Sequence, residues 1–305
     1  MYMEAIKLAI DWTPNVNHIG FFVARDIGLY EKNGITLEIH NPLDDNYRIT
    51  PAKKLELDLA EFAIAPFETI ISLNNKINKV DAIGVFAILQ NDLSSIATLR
   101  ESNINSPRDF DNTIYASYKA RYEDQIVKQM IINDGGTGNI HIIYPDKLGI
   151  WNTLLEGKAT ATWIFDNWEG IEAETKNIQL QKFKMSDFGI PYGYSPVLLT
   201  KQTNITTKKD LYIRFLKATK EGFLYAKNNI DKSISILQKY LTAYDLQHID
   251  LIKSFEATVP HFGDEKNCGK MEEDRVISFL EWIVEQQLET KLILEQHLYT
   301  NELLE

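Results

Sequence analysis

The pattern of apolar and polar positions opens with a short apolar run, Lys7 to Ile10, stopped by Asp11-Trp12-Thr13-Pro14-Asn15. An apolar run bounded by turn residues reads as a buried strand. From Val16 to Leu29 the positions Ile19, Phe22, Val23 and Ile27 follow the 3.6-residue spacing of a helix, with Gly28 and Gly34 marking its stop and a turn. Ile35, Leu37 and Ile39 alternate with polar partners as a second strand. Thr50 is a good N-cap and Pro51 suits a first helical position, which predicts a helix to about Leu57. Phe62 to Ala65 is another buried strand, ended by Pro66, and a helix runs from Glu68 to Leu73. Strands and helices alternating through short connections predict a parallel α/β sheet. Ligands of such sheets sit beyond the carboxyl ends of the strands, so Asp11 to His18 and Pro66 to Thr69 are expected to line one crevice.

Ala82 to Leu89 is a further strand, and Gln90 to Ser95 is a plausible crossing before the strand Ile96 to Leu99. The alternation restarts at Thr113 to Ala116, with a helix carrying Ile126, Met130 and Ile131 closed by Asp134-Gly135-Gly136-Thr137-Gly138. That glycine-rich turn precedes a strand, Ile140 to Tyr144, whereas a phosphate-cradling loop follows a strand and opens a helix, so no nucleotide site is expected there. A helix over Leu148 to Leu155 and a strand over Ala159 to Phe165 lead into Asp166-Asn167-Trp168-Glu169-Gly170, then a helix from Ile171. A strand over Leu180 to Lys184 and a tyrosine-bearing turn, Gly189 to Pro196, follow. The second block reads as a lobe, residues 92–195, inserted into a first lobe of residues 1–91 plus 196–305. Beyond Lys208 the chain is largely helical, with apolar stripes over Leu211 to Lys227, Ser233 to Leu241, Asp250 to Phe255 and Glu272 to Gln287 that read as core faces.

Composition narrows the function. A length of 305 residues favours two lobes. The formal net charge of -11 argues against nucleic acid and against an anionic membrane surface. The single cysteine, Cys268, excludes an internal disulfide and a cysteine-based metal site, and reads as an incidental thiol in the polar stretch Gly263 to Lys270. No run approaches the ~20 apolar residues of a membrane helix. Met1 is followed by no basic segment, apolar run and cleavage site. The expectation is a cytoplasmic protein if Met1 is the native start, and otherwise a periplasmic or cell-envelope protein with its leader removed. There is no GxSxG elbow, HExxH or P-loop. Asp44-Asp45, Asp264-Glu265, Glu172 and Glu174 read as solvated carboxylates, so no catalytic residue, metal or cofactor is assigned.

Three segments together resemble one family: DWTPNVNHIGFFVARDIGLYEKNGITLEI from Asp11, ATWIFDNWEGIEAE from Ala161 and YTNELLE from Tyr299. The chain is similar over almost its whole length to the substrate-binding proteins for the formylaminopyrimidine precursor of thiamin. The resemblance implies an α/β, bilobed type II periplasmic-binding-protein-like fold: two parallel or mixed sheets flanked by helices, with a cleft between the lobes. It further implies that an aminopyrimidine ring is held there by Trp12, Asn15 and His18 from one segment and Trp163, Asp166, Trp168 and Glu169 from the other. Chemistry supports this independently, because a flat electron-poor ring gains from aromatic stacking and its exocyclic amine wants a carboxylate. Trp12 and Trp163 are then either ring-stacking walls or core aromatics, and His18 either touches ligand or packs locally.

Two departures from the pattern matter. Where the family carries a YGGW-like turn, this chain has Tyr115-Ala116-Ser117-Tyr118-Lys119-Ala120-Arg121-Tyr122. Tyr118 can still stack, while Lys119 and Arg121 bring positive charge to a helix N-terminus, which suggests an acidic group on the ligand, such as a phosphate. The related fungal-type thiamin pyrimidine synthases use a cysteine-rich segment, a lysine bearing pyridoxal phosphate and a consumed histidine. Here Gly189 to Tyr194 and Ala65, Pro66 and Glu68 stand in their places, which ranks synthase chemistry second. The expected ligand site comprises Asp11, Trp12, Asn15, His18, Pro66, Glu68, Thr69, Tyr118, Lys119, Trp163, Asp166, Trp168, Glu169 and Tyr192. Its expected occupant is a formylaminopyrimidine or hydroxymethylpyrimidine, bound by a monomer for delivery to an ABC permease, for salvage or for sensing. Hinges are expected near Gln90 to Asp92 and at Ser195-Pro196.

Overall fold

The computed structural model describes residues 3–145 and 150–304. The expected helix start at Leu148 and the first two residues lie outside them. The strands are β1 (Glu4–Ala9), β2 (Ile35–His40), β3 (Phe62–Ala65), β4 (Ala82–Ala87), β5 (Ser94–Leu99), β6 (Ile114–Ala116), β7 (His141–Ile143), β8 (Ala161–Phe165), β9 (Leu180–Phe183) and β10 (Val197–Lys201). They form two five-stranded sheets, ordered β2-β1-β3-β10-β4 and β7-β6-β8-β5-β9.

In the first sheet β1 runs parallel to β2, with Glu4 opposite Ile35, and to β3, with Leu8 opposite Phe62. β4 does not continue this parallel run as the alternation predicts. The chain leaves after β4 to build the second sheet, and on return β10 enters antiparallel between β3 and β4, with Val197 opposite both Ala65 and Ala87. Its run Val197-Leu198-Leu199 is fully buried, as a strand covered on both faces requires. The second sheet is mixed too: β6 is parallel to β7 and β8, and β5 is antiparallel to β8 and β9.

The helices are α1 (Ile19–Asp26), α2 (Leu29–Lys32), α3 (Pro51–Glu56), α4 (Glu68–Asn74), α5 (Glu123–Asn133), α6 (Ile150–Leu155), α7 (Glu169–Thr175), α8 (Gln202–Asn228), α9 (Ile230–Leu237), α10 (Ala243–His248), α11 (Leu251–Thr258) and α12 (Glu273–Glu285). The single helix predicted over Val16 to Leu29 is three pieces, a 3₁₀ turn at Val16–His18, then α1 and α2. Gly28, at φ 77°, breaks the run, a backbone conformation that favours glycine. α8 buries Leu211, Tyr212, Phe215, Leu216, Phe223 and Ala226, the 3.6-residue stripe. Tyr212 and Phe215 pack on Phe62 of β3, with ring centroids 4.4 and 4.6 Å away.

Away from the cavity, the incidental thiol Cys268 proves to be a core residue, and the expectation for Glu172 changes. Cys268 is 1% exposed inside the apolar cluster of the first sheet, and burial pushes its thiol up to about 12, so it is an inert core residue. Glu172 is buried, not solvated, because Tyr244 of α10 covers it and donates a hydrogen bond at 2.5 Å. Asp45 pairs with Lys54 at 2.9 Å, and Glu174 pairs with Lys253. Among the described residues no helix is long and apolar enough to cross a membrane.

Candidate functional site

Parallel strands present their carboxyl ends on one edge of a sheet, and an antiparallel neighbour begins at that same edge. In the first sheet this edge carries the turn after β1, the Pro66 to Glu68 corner after β3, and Ser195 just before β10. In the second it carries Tyr118 after β6 and Trp168 and Glu169 after β8. The two edges face one another across a cavity of about 200 Å³.

The β1 turn is locked by its own polar atoms. The Asn15 side chain accepts from the Asn17 N–H at 2.9 Å, and the Asn15 N–H donates to His18 Nδ1 at 3.3 Å. Because Nδ1 accepts, the ring proton sits on Nε2, which donates to Asp11 Oδ1 at 2.7 Å. His18 is 1% exposed and lies behind Asp11, outside the cavity lining. It positions the Asp11 carboxylate, which lines the cavity.

Glu68, at the first turn of α4, is 3% exposed and lines the cavity. Tyr192 donates to its Oε1 at 2.8 Å, while Oε2 is buried without a hydrogen-bond partner among the described residues. Burial pushes its carboxyl up to about 7. Glu169 opens α7, accepts from the Phe165 N–H at 2.9 Å, and is raised to about 7, again chiefly by burial. A buried carboxyl with an open acceptor is costly unless something pairs with it. Glu123 differs: its Oε1 takes the Tyr115 hydroxyl at 2.8 Å and the Tyr118 N–H at 3.0 Å, and its Oε2 takes the Ala120 N–H at 3.0 Å.

Aromatic side chains complete the wall. Trp163 meets Tyr192 edge to face at 5.2 Å, and Tyr192 meets Phe279 in the same way at 5.5 Å. Trp12 and Trp168 form the side toward α10, and Tyr118 closes the second-sheet side. Among the described residues, Asp11, Glu68, Glu123 and Glu169 are the charged residues of the lining, and no lysine or arginine belongs to it.

Of the residues singled out in the sequence, the cavity gathers Asp11, Trp12, Asn15, Pro66, Glu68, Tyr118, Trp163, Trp168, Glu169 and Tyr192. His18, Thr69, Lys119 and Asp166 do not line it. Asp166 turns to the second sheet, where it pairs with Lys182 at 3.0 Å and accepts from Ser95 at 2.8 Å. Lys119 Nζ lies 5.4 Å from the Tyr144 ring centre, and Arg121 pairs with Glu289. Just before α5, where an acidic ligand group was expected, the N–H groups of Tyr118 and Ala120 point at the chain's own Glu123 carboxylate. Asn17, Ala120, Glu123, Ile126, Ile164, Phe165 and Ser195 also line the cavity and were not picked out from sequence. An acid in the first turn of a helix is the one signal that could have raised Glu123.

The lobes also touch beyond the cavity. Asn167, 1% exposed, donates to Asn17 and to Thr258 of α11, each at 2.8 Å. Trp168 and Ile171 belong to the apolar cluster of the first sheet. Arg275 of α12 reaches both crossing segments, donating to the Gln90 carbonyl and, at 2.7 Å, to the Gly193 carbonyl, with its guanidinium 4.0 Å from the Tyr194 ring centre.

Comparison with known proteins places this geometry. The alkanesulfonate-binding protein SsuA of Xanthomonas axonopodis pv. citri, solved with MOPS bound, superimposes with a TM-score of 0.69 at 12% identity, over 95% of this chain and 96% of that one. The periplasmic aliphatic sulphonate binding protein SsuA of Escherichia coli gives 0.68 at 13% identity, over 99% of each chain. The fold is therefore that of the periplasmic binding proteins. In sequence, the formylaminopyrimidine-binding protein of Halalkalibacterium halodurans is 22% identical over 261 residues, 83% of this chain and 75% of that protein. The model of the family described as NMT1/THI5 like matches residues 15–233, and the chain belongs to that family.

Proposed function

We propose that this protein binds a small aminopyrimidine, of the formylaminopyrimidine or hydroxymethylpyrimidine type, between a lobe of residues 1–91 with 196–305 and a lobe of residues 92–195. The observation that carries the reading is the buried Glu68 carboxyl, whose Oε2 lacks a partner among the described residues inside an aromatic-walled cavity. An exocyclic amine and a ring nitrogen supply the donor and the base that such a carboxyl needs, whichever of the two holds the proton. Trp163, Tyr192 and Tyr118 offer apolar faces to the ring, and Asp11, held by His18, offers a second acceptor. The name of the Halalkalibacterium relative supports the same ligand class.

Among the described residues the lining has carboxylates and no lysine or arginine, so the reading takes the unphosphorylated base over its phosphate ester. Lobe closure about the crossings at Gln90 to Asp92 and Ser195-Pro196 buries the ring and excludes water. In this role the protein hands its ligand to an ABC permease or retains it for salvage.

Titration calorimetry with hydroxymethylpyrimidine, formylaminopyrimidine and a pyrimidine lacking the exocyclic amine tests the reading. The two aminopyrimidines are expected to bind and the third to bind at least tenfold more weakly. Glu68→Gln is expected to weaken both roughly 10- to 100-fold, the range for a lost charge-assisted hydrogen bond of about 1.5–3 kcal/mol. Equal binding of the analogue without the amine, or an unchanged affinity in Glu68→Gln, would overturn it.

A further inference from the structure

A second chamber of about 300 Å³ adjoins the first and shares Trp12, Trp168 and Glu169 with it. A single pyrimidine ring on Glu68 leaves this space open. Its far wall is again aromatic: Tyr47 stands edge to face with Trp12 at 5.8 Å, and Tyr244 of α10 and Trp151 of α6 face it from the other sides.

Its charges are unbalanced. Among the described residues, Glu169, Glu172 and Asp245 line it against one lysine, Lys176. Lys176 is already engaged, 2.7 Å from Glu172 Oε1 and 4.7 Å from the Tyr244 ring centre. Asp245 Oδ2 takes a hydroxyl, that of Thr242 at 2.6 Å, and the Glu169 carboxyl takes a backbone N–H. Glu169 makes no ion pair among the described residues, and Asp245 has the His248 imidazole as its basic neighbour. Carboxylates beside the faces and edges of tryptophan and tyrosine are the setting that recognises a positively charged group. A separate observation concerns Trp151, another residue of the chamber wall. The indole Nε1 of Trp151, a residue 6% exposed, is buried with no acceptor among the described residues.

We infer that the second chamber is a subsite for a flat, cationic substituent on the aminopyrimidine, a second heteroaromatic ring carrying a positive charge and a hydrogen-bond acceptor. This rests on the aminopyrimidine reading and deepens it. The pyrimidine occupies the Glu68 cavity, the link passes between Trp12 and Trp168, and the cation lies among Glu169, Asp245, Tyr47 and Tyr244. The acceptor meets Trp151. The same chamber disfavours an anionic substituent, which would face two carboxylates at close range.

Calorimetry on the full chain separates this subsite from the first cavity. Three probes serve: hydroxymethylpyrimidine, thiamin (an aminopyrimidine joined through one methylene to a cationic thiazolium), and the neutral thiophene isostere of thiamin. Thiamin is expected to bind at least tenfold more tightly than either neutral compound. Tyr47→Ala and Asp245→Asn are each expected to cut that advantage below about threefold and to leave hydroxymethylpyrimidine affinity unchanged. Tyr47 is an exposed side chain, so its removal keeps the test valid should Asp245→Asn disturb α10. If hydroxymethylpyrimidine binds and thiamin gains nothing, or the neutral isostere equals thiamin, or the advantage survives both substitutions, the subsite is wrong and the first reading stands. If none of the three binds, both fall.

Discussion

Glu68 and Glu169 carry carboxyls raised to about 7 by burial, with Asp92 and Glu123 adding to the shift at Glu68, and Glu172 and Asp11 at Glu169. In the unfolded chain the same groups titrate near 4.5. Between those values the folded state holds more protons than the unfolded one, so stability falls as pH rises through that window. The melting temperature of the ligand-free protein is therefore expected to decline from about pH 5 to pH 8. Glu68→Gln should flatten part of the decline, as thermal unfolding at a series of pH values would show. Much of this was visible in the residues: Asp11, Trp12 and Asn15 stand where an apolar strand stops, and Glu68 follows the proline that ends another. Glu123 was not visible, because its importance comes from Tyr115, Tyr118 and Ala120 converging on it in space. Lys119 misled for the same reason, since a basic residue near a helix start says nothing of which way its side chain turns.

Among the elements, α1 approaches α8 closely. A Cβ built at Gly222 would lie 2.3 Å from the Gly20 carbonyl oxygen and 2.7 Å from the Ala24 Cβ. On helix propensity alone Gly222→Ala should stabilise by about 1 kcal/mol. The overpacking it creates against backbone should dominate and destabilise by roughly 1–3 kcal/mol. Urea unfolding of the variant decides the sign, and a stabilised protein would show that these helices can separate at little cost. The stripe on α8 was legible because burial repeats with the helical period. The place of β10 was not, since an apolar strand looks alike whether parallel or antiparallel neighbours flank it.

On the scale of the molecule, the link between the two sheets' lobes runs through Asn167, Asn17 and Thr258, with Trp168 seated in the first-sheet core. Removing the amide should shift the ligand-free protein toward an open form. Asn167→Ala is expected to enlarge the radius of gyration by solution scattering without ligand, to return to the wild-type value with saturating aminopyrimidine, and to bind more weakly by the cost of closing. An unchanged ligand-free radius would show that the apolar seat of Trp168 holds the lobes by itself.

The sequence by itself determined the α/β alternation, the helical C-terminal portion and the strand-end turns, because periodicity and turn chemistry are local. It also carried the family resemblance, which rests on contiguous segments. Only the tertiary structure decided which of the candidate residues share a cavity, that Glu68 is buried with an oxygen unpaired among the described residues, and that Glu123 takes up the N–H groups of the turn before α5. Those are properties of the space between two sheets separated in sequence by a hundred residues or more in places, such as Glu68 and Tyr192, and no local pattern encodes the burial that sets their charge.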